Sequence, residues 1–217
     1  MKPYVAFFDL DHTILDTSSA RLYIIYLYRL GHISRGDLTK GALMSMLHRF
    51  GLFASEDSIK KWVMKYRGVS EKRTMDLTRR WFDEMVKERI RQGAVSEIER
   101  HRSGGARTVV LSASTNYGCE PVKEHLGMDD VISTRLEVRD GLFTGELAGD
   151  YCYGPVKLTR ALEYCIQHGH DMEDAWYYGD ALADMHIMER VGHPVCVTPD
   201  RKLRKVAKKR GWEIVEW

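Results

Sequence analysis

Apolar positions along the chain follow two kinds of pattern. Short unbroken runs, Tyr4 to Phe8, Thr108 to Leu111, Trp176 to Tyr178 and Pro194 to Val197, are β-prone and stop at polar or small residues. A run with no polar side has nothing to offer water, so each predicts a strand covered on both faces. Each is followed by a loop and then by apolar residues at helical spacing. Strands alternating with helices predict an α/β fold with a Rossmann-like parallel sheet.

The stretch from 17 to 95 departs from this rhythm. It holds no convincing strand, and its spacing predicts helices over Ser18 to Leu30 with Gly31 as the stop, Gly36 to Phe50, Ser55 to Tyr66 and Ser70 to Ile90. It therefore reads as a helical cap inserted into an α/β core formed by residues 1–16 and 96–217. Further on, polarity alternates around Asp140-Gly141 from Arg135 to Leu147, which predicts a β-hairpin. The basic segment Arg201 to Arg210 carries an apolar stripe at Leu203, Val206 and Ala207, continued by Trp212, and reads as a surface helix with a solvated basic face.

Composition narrows the class of protein. With 44% hydrophobic and 29% charged residues among 217, the chain is globular rather than disordered. A net charge of +2 argues against a nucleic-acid partner. The charge is uneven, because positions 17 to 95 carry 16 Lys or Arg against 8 Asp or Glu. That excess is either a set of solvated helix faces or a field that draws an anionic substrate. Cys119, Cys152, Cys165 and Cys196 form no CxxC and no zinc-ligand spacing, and fit a reducing, cytoplasmic setting. His168-Gly169-His170 reads as a helix end rather than a transition-metal site. The greasiest stretch, Leu22 to Leu27 between Arg21 and Arg29, falls far short of the roughly 20 residues that span a bilayer, so no stable membrane insertion is expected. The tyrosines of that stretch, Tyr23, Tyr26 and Tyr28, suit the cap interior or a homodimer face, and can also line a substrate pocket.

In open parallel sheets ligands bind beyond the carboxyl ends of the strands, which draws attention to Asp9, Asp11, Ser112 and Asp180. In Asp9-Leu10-Asp11-His12-Thr13 two carboxylates can flank one small space, so that one attacks a phosphate while the other handles the proton of the departing alcohol. Taken alone, such a pair is as readily a set of helix-capping acids. Three later features favour chemistry. The Ser112 hydroxyl and the neighbouring main-chain N–H groups can hold a phosphoryl oxygen. Lys157, after a helix-starting Pro155, can neutralise both an aspartate and a phosphate. Asp180 and Asp184, four residues apart on a starting helix turn, can face one hard cation.

This ordered set resembles the haloacid dehalogenase-like superfamily of phosphohydrolases. The resemblance lies in DxDxT at Asp9 to Thr13, the strand-end Ser112, Lys157, and GDxxxD at Gly179 to Asp184. It implies that Asp9 is the nucleophile, Asp11 the general acid and base, and Ser112, Lys157, Thr13 and the Ala113 N–H the phosphate's surroundings. It also implies a Mg2+ ion on Asp9, the Asp11 carbonyl and Asp180, with Asp184 assisting through water. The helical insert and the hairpin resemble the phosphoserine-phosphatase-like, C1-capped branch. Two departures stand out. The acidic residue that reads a substrate ammonium in those enzymes falls nine positions after the nucleophile, where this chain has Ser18, and their serine-glycine-glycine is Ser112-Ala113-Ser114 here. The expectation is therefore Mg2+-dependent hydrolysis of a small-molecule phosphate monoester. Phosphoserine hydrolysis, or a non-catalytic phosphate-ligand or lipid-surface module, stand as alternatives.

Overall fold

The computed structural model describes residues 3–49 and 56–217. Six parallel strands form the sheet: β1 (Val5–Phe8), β2 (Arg107–Thr115), β3 (Asp130–Thr134), β6 (Trp176–Gly179), β7 (His193–Val197) and β8 (Glu213–Val215). Their spatial order is β3-β2-β1-β6-β7-β8. The chain winds outward to β3, then returns to the other side of β1 at β6, leaving a crevice at the carboxyl ends of those two central strands. The Rossmann-like expectation is met. β3 and β8 escaped the sequence reading because both are edge strands with partly exposed, mixed residues rather than apolar runs.

Period-two alternation divides the strand side chains between two layers. Ala6, Phe8, Val110, Tyr178 and Val195 face one side, where α5 (Gln92–Ser103) and α6 (Asn116–Leu126) contribute Ile98, Cys119 and Val122. Val5, Phe7, Val109, Tyr177 and Cys196 face the other, against α7 (Pro155–His168), α8 (Met185–Met188) and α9 (Arg201–Arg210). Each fully buried Phe or Val contributes roughly 1.5–3 kcal/mol. All four cysteines are free and buried.

Between β1 and β2 run α1 (Ser19–Arg29), α2 (Arg35–Arg49), α3 (Glu56–Met64) and α4 (Glu71–Trp81). Phe50 and Ser55, expected helix ends, lie outside the described residues. Ser18 caps α1 by accepting from the Arg21 N–H, and Ser70 caps α4 by accepting from the Arg73 N–H. The single helix expected to Ile90 instead ends at Trp81 and continues as a wide turn, Phe82–Val86, and a tight one, Lys87–Arg89. The reason lies in the backbone pairing that follows. Extended Ile90 bridges Leu15, Asp16 N–H donates to Arg89 O, and Arg91 N–H donates to Ile14 O, so the chain leaving the sheet is tied to the chain returning to it. α5 starts at Gln92 and runs through position 95.

The expected hairpin is present as β4 (Leu136–Arg139) and β5 (Leu142–Leu147). Asp140 and Gly141 both take positive φ, 50° and 74°, as a tight hairpin turn requires. Its Phe143 and Leu136 pack on Val63 of α3 and on Tyr117 of α6, with Trp62 and Tyr66 alongside. The basic tail forms α9, capped by the Asp200 carboxylate on the Leu203 N–H, with Leu203 and Ala207 buried as the stripe requires. No helix among the described residues is long and apolar enough to cross a membrane.

Behind the sheet, His101 is fully buried, with Nδ1 3.1 Å from the Tyr4 hydroxyl and Nε2 2.8 Å from that of Tyr178. Burial, followed by the neighbouring Arg100 charge, pushes its pKa down to about 4. The native ring is therefore neutral where an unfolded histidine, near 6.5, already binds a proton. Stability should fall as the pH drops from about 6.5 to about 4 and level off below, a loss approaching about 3 kcal/mol. Urea unfolding across that window should show a shallower fall for His101→Asn than for the unsubstituted protein. Parallel curves would assign the acid sensitivity elsewhere.

Candidate active site

Asp9 continues the β1 register past Phe8, because its N–H donates to Tyr178 O on β6 at 2.9 Å. Alternation turns its side chain to the layer of Val5 and Phe7, the side on which α7 and Tyr177 lie. There the buried Lys157 Nζ donates to Asp9 Oδ1 at 2.7 Å, to Asp184 Oδ1 at 2.8 Å and to the Tyr177 hydroxyl at 3.1 Å. The Tyr177 hydroxyl donates in turn to Asp184 Oδ1 at 2.7 Å. One oxygen of each of Asp9, Asp180 and Asp184 lies within 4.8 Å of the others. Burial raises the Asp9 pKa to about 7, and the Asp184 and Asp11 charges add to this against the pull of Lys157. Burial alone would depress the Lys157 ammonium, but Asp184 and Asp9 hold it well above its ordinary value. Asp9 and Asp184 thus share the Lys157 ammonium, with the buried Asp180 carboxylate close by. A hard divalent cation with oxygen ligands fits this donor set and would relieve its surplus negative charge.

The chain leaves the strand through Asp11 and His12, whose φ of 58° reverses its direction, and Leu15 N–H closes the turn on Leu10 O. Asp11 thereby faces the start of α1. Its Oδ1 accepts from the Ser19 N–H at 2.9 Å and its Oδ2 from the Ser18 hydroxyl at 3.2 Å. The Ser19 and Ser114 hydroxyls meet at 2.8 Å, which joins α1 to the end of β2. Ser112 Oγ accepts from the Ser114 N–H, and the Ala113 carbonyl accepts from Thr134 Oγ1.

Asp9, Asp11, Ser18, Ser112, Ala113, Lys157, Asp180 and Asp184 all border one cavity of about 280 Å3. Thr13 does not. It is fully buried beneath the turn, and its Oγ1 has no hydrogen-bond partner among the described residues. The Asp11 carboxylate also lies outside the carboxylate group that brings Asp9, Asp180 and Asp184 together. Ser18 reaches the cavity, but its hydroxyl is engaged with Asp11 and the start of α1.

A family model described as haloacid dehalogenase-like hydrolase matches residues 6–189. The chain belongs to this family. A Streptomyces azureus protein named for inhibition of morphological differentiation is 33% identical over 98% of the chain and 78% of its own length. A phosphoserine phosphatase of Mycobacterium tuberculosis is 28% identical over 96% and 69%. A histidinol-phosphatase of Neisseria meningitidis is 24% identical over 98% of both. Among solved structures, a Bordetella pertussis protein of unknown function shares the fold with a TM-score of 0.89 at 22% identity, covering 99% of both chains. A phospho-aspartyl intermediate analogue of phosphoserine phosphatase superposes with a TM-score of 0.73 at 20% identity over 99% of this chain and 93% of its own.

Of the tyrosines expected to line a pocket, Tyr23 borders the cavity and Tyr26 and Tyr28 do not. The sequence reading of this hydrolase missed Tyr177 and the other aromatic residues of the lining, Trp62, Tyr66, Trp81 and Tyr117. Tyr177 is hidden in an apolar run, although its position two residues before Gly179 already put it on the Lys157 side of the sheet. Gly179 permits the arrangement, because a Cβ there would lie 2.7 Å from Tyr177 Cε1 and 2.8 Å from Asp184 Oδ2. Tyr177→Phe should keep the fold and the two ion pairs but loosen Lys157 and Asp184. We expect roughly tenfold slower turnover with little change in KM, in line with about 1.5 kcal/mol for the loss of the hydroxyl's two hydrogen bonds to groups that stay paired with each other. Unchanged turnover would show that the hydroxyl only fills space.

Proposed function

We propose that the protein hydrolyses small phosphate monoesters through an aspartyl-phosphate on Asp9. The observation that supports this most strongly is the buried Asp9–Lys157–Asp184 arrangement opening onto a cavity that Asp11 also borders. Lys157 donates to Asp9 Oδ1 and fixes the carboxylate, one oxygen of which attacks phosphorus. The bond from phosphorus to the alkoxide breaks, and Asp11 gives the alkoxide its proton. Asp11 then takes a proton from the water that attacks the acyl phosphate, which releases inorganic phosphate and restores the Asp9 carboxylate. Lys157, Ser112 and the main chain at Ala113 orient the phosphoryl oxygens. Asp9, Asp180 and the Asp11 carbonyl, assisted by Asp184, would hold Mg2+, which would supply the positive charge that a dianionic phosphate needs in this acidic setting. The inserted helices act as the cap that sets substrate choice, and the free, buried cysteines suit a cytoplasmic enzyme.

The names of two relatives point to small phosphorylated metabolites, phosphoserine and histidinol phosphate. Phosphoserine is the weaker candidate, because Ser18 offers no charge to its ammonium. A purely phosphate-binding module would have no use for a proton-handling carboxylate on the cavity that a buried nucleophile also borders.

Turnover of p-nitrophenyl phosphate should require Mg2+, vanish with EDTA and be inhibited by Ca2+, whose looser coordination draws both Asp9 oxygens onto the ion. Asp9→Asn should remove at least about 10³-fold in kcat in a protein that still unfolds cooperatively, at a temperature lowered by the loss of the ion pair with Lys157. Asp11→Asn should slow single-turnover transfer from an alkyl phosphate far more than from p-nitrophenyl phosphate, whose leaving group needs no proton. Robust activity of folded Asp9→Asn, or equal losses for the two esters in Asp11→Asn, would contradict this mechanism.

A further inference from the structure

The cavity has two unlike ends. Its charged side chains among the described residues, Asp9, Asp11, Lys157, Asp180 and Asp184, gather at the strand ends, where the phosphoryl group is handled. Away from the strand ends the described lining is mostly apolar and aromatic, with Thr74 and Thr78 among it. Tyr23 and Ile24 come from α1, Trp62 from α3 and Tyr66 just beyond it, Trp81 from α4, and Tyr117 from α6. The rings brace one another edge to face, with centroids 5.5 Å apart for Tyr23 and Trp81 and 5.0 Å for Trp62 and Tyr66. The Tyr117 hydroxyl is taken up by Glu71 at 2.7 Å, so this tyrosine presents its ring rather than a free polar group. Burial, with Tyr26 beside it, raises the Tyr23 phenol to about 12, which keeps it uncharged.

We infer that this aromatic wall is a leaving-group compartment that selects phosphate monoesters of uncharged, ring-bearing alcohols over those of amino-acid zwitterions. The inference rests on the phosphatase reading above and specifies its substrate class. Three physical arguments carry it. A cavity of about 150 Å3 already takes up benzene, so about 280 Å3 holds a phosphoryl group and one ring. Rings locked by packing present apolar area with little entropy left to lose on binding. An amino-acid carboxylate would also meet Asp9, Asp11, Asp180 and Asp184, while the buried Lys157 is already shared between Asp9 and Asp184.

The test compares kcat/KM for 2-phenylethyl phosphate, ethyl phosphate and O-phosphoserine, all with Mg2+. The first two release alcohols of similar acidity and differ in the ring. We expect 2-phenylethyl phosphate to exceed ethyl phosphate by roughly 30-fold or more, mostly in KM, and to exceed phosphoserine. Trp62→Ala should shrink the ratio of the phenylethyl to the ethyl ester about tenfold, and Trp62→Phe should restore most of it. Equal values for the two neutral esters, or a preference for phosphoserine, overturns the inference. Calorimetric binding of 2-phenylethylphosphonate and ethylphosphonate to the Mg2+-loaded protein separates the two proposals. If no ester is hydrolysed but the phenylethyl compound binds at least about tenfold more tightly, the mechanism fails and the compartment stands. Equal binding removes the compartment whatever the activity.

Discussion

One buried ammonium organises this molecule's chemistry. Lys157 Nζ sits between Asp9 and Asp184, at 2.7 and 2.8 Å, in a place where an unpaired charge would be costly. Removing one partner from such a site leaves the other charges buried without compensation, typically at a cost of about 3–5 kcal/mol. Three distant pieces of chain are thereby fixed on one another: the end of β1, the first turn of α7 and the turn after β6. Every later feature depends on that fixation, including the orientation of Asp9 and the gathering of Asp180 and Asp184 close enough to share a cation. The same arrangement leaves net negative charge, which is why the site fits a hard cation and a dianionic substrate together rather than either alone.

The second organising contact joins the sheet to the inserted helices. Asp11 accepts from the Ser19 N–H, and the Ser19 hydroxyl meets that of Ser114, so the start of α1 is bonded to residues beside the nucleophile and at the end of β2. Leu15 and Ile90 close the base of the insert as paired chains. A proton-handling carboxylate held by the helix that also contributes Tyr23 and Ile24 to the wall places acid chemistry and leaving-group recognition on one element. The helix cannot shift without moving both.

Much of this was legible in the sequence, and the reasons are physical. Apolar runs such as Tyr4 to Phe8 have one stable destination, the middle of a covered sheet, and the acids that end them must emerge at its carboxyl edge. Asp140-Gly141 announced its hairpin because few residue pairs tolerate two positive φ values in succession. What stayed hidden depends on pairing across the chain. The break in the helix before Ile90 follows from its bridge to Leu15, 75 positions away, and the edge strands β3 and β8 carry no apolar run of their own. Ser18 was read as a substrate-facing position, yet its hydroxyl is occupied as a helix cap and as a partner of Asp11. Tyr177 looked like one more apolar strand residue, and only the third dimension shows its hydroxyl on Lys157 and Asp184. Tyr23 could be offered as a pocket residue from its own helix, but the rest of the aromatic wall draws on three further helices and the turn after α3, which no local pattern brings together.

The central claim is that Asp9 becomes covalently phosphorylated. The protein mixed with a monoester and Mg2+, quenched in acid within a single turnover and digested, should yield the Asp9-containing peptide heavier by one phosphoryl group. That mass should be discharged by neutral hydroxylamine, as an acyl phosphate is, and should be missing from Asp9→Asn. Release of inorganic phosphate in a full burst with no phosphoryl group on that peptide, or with the group on another residue, would contradict the account.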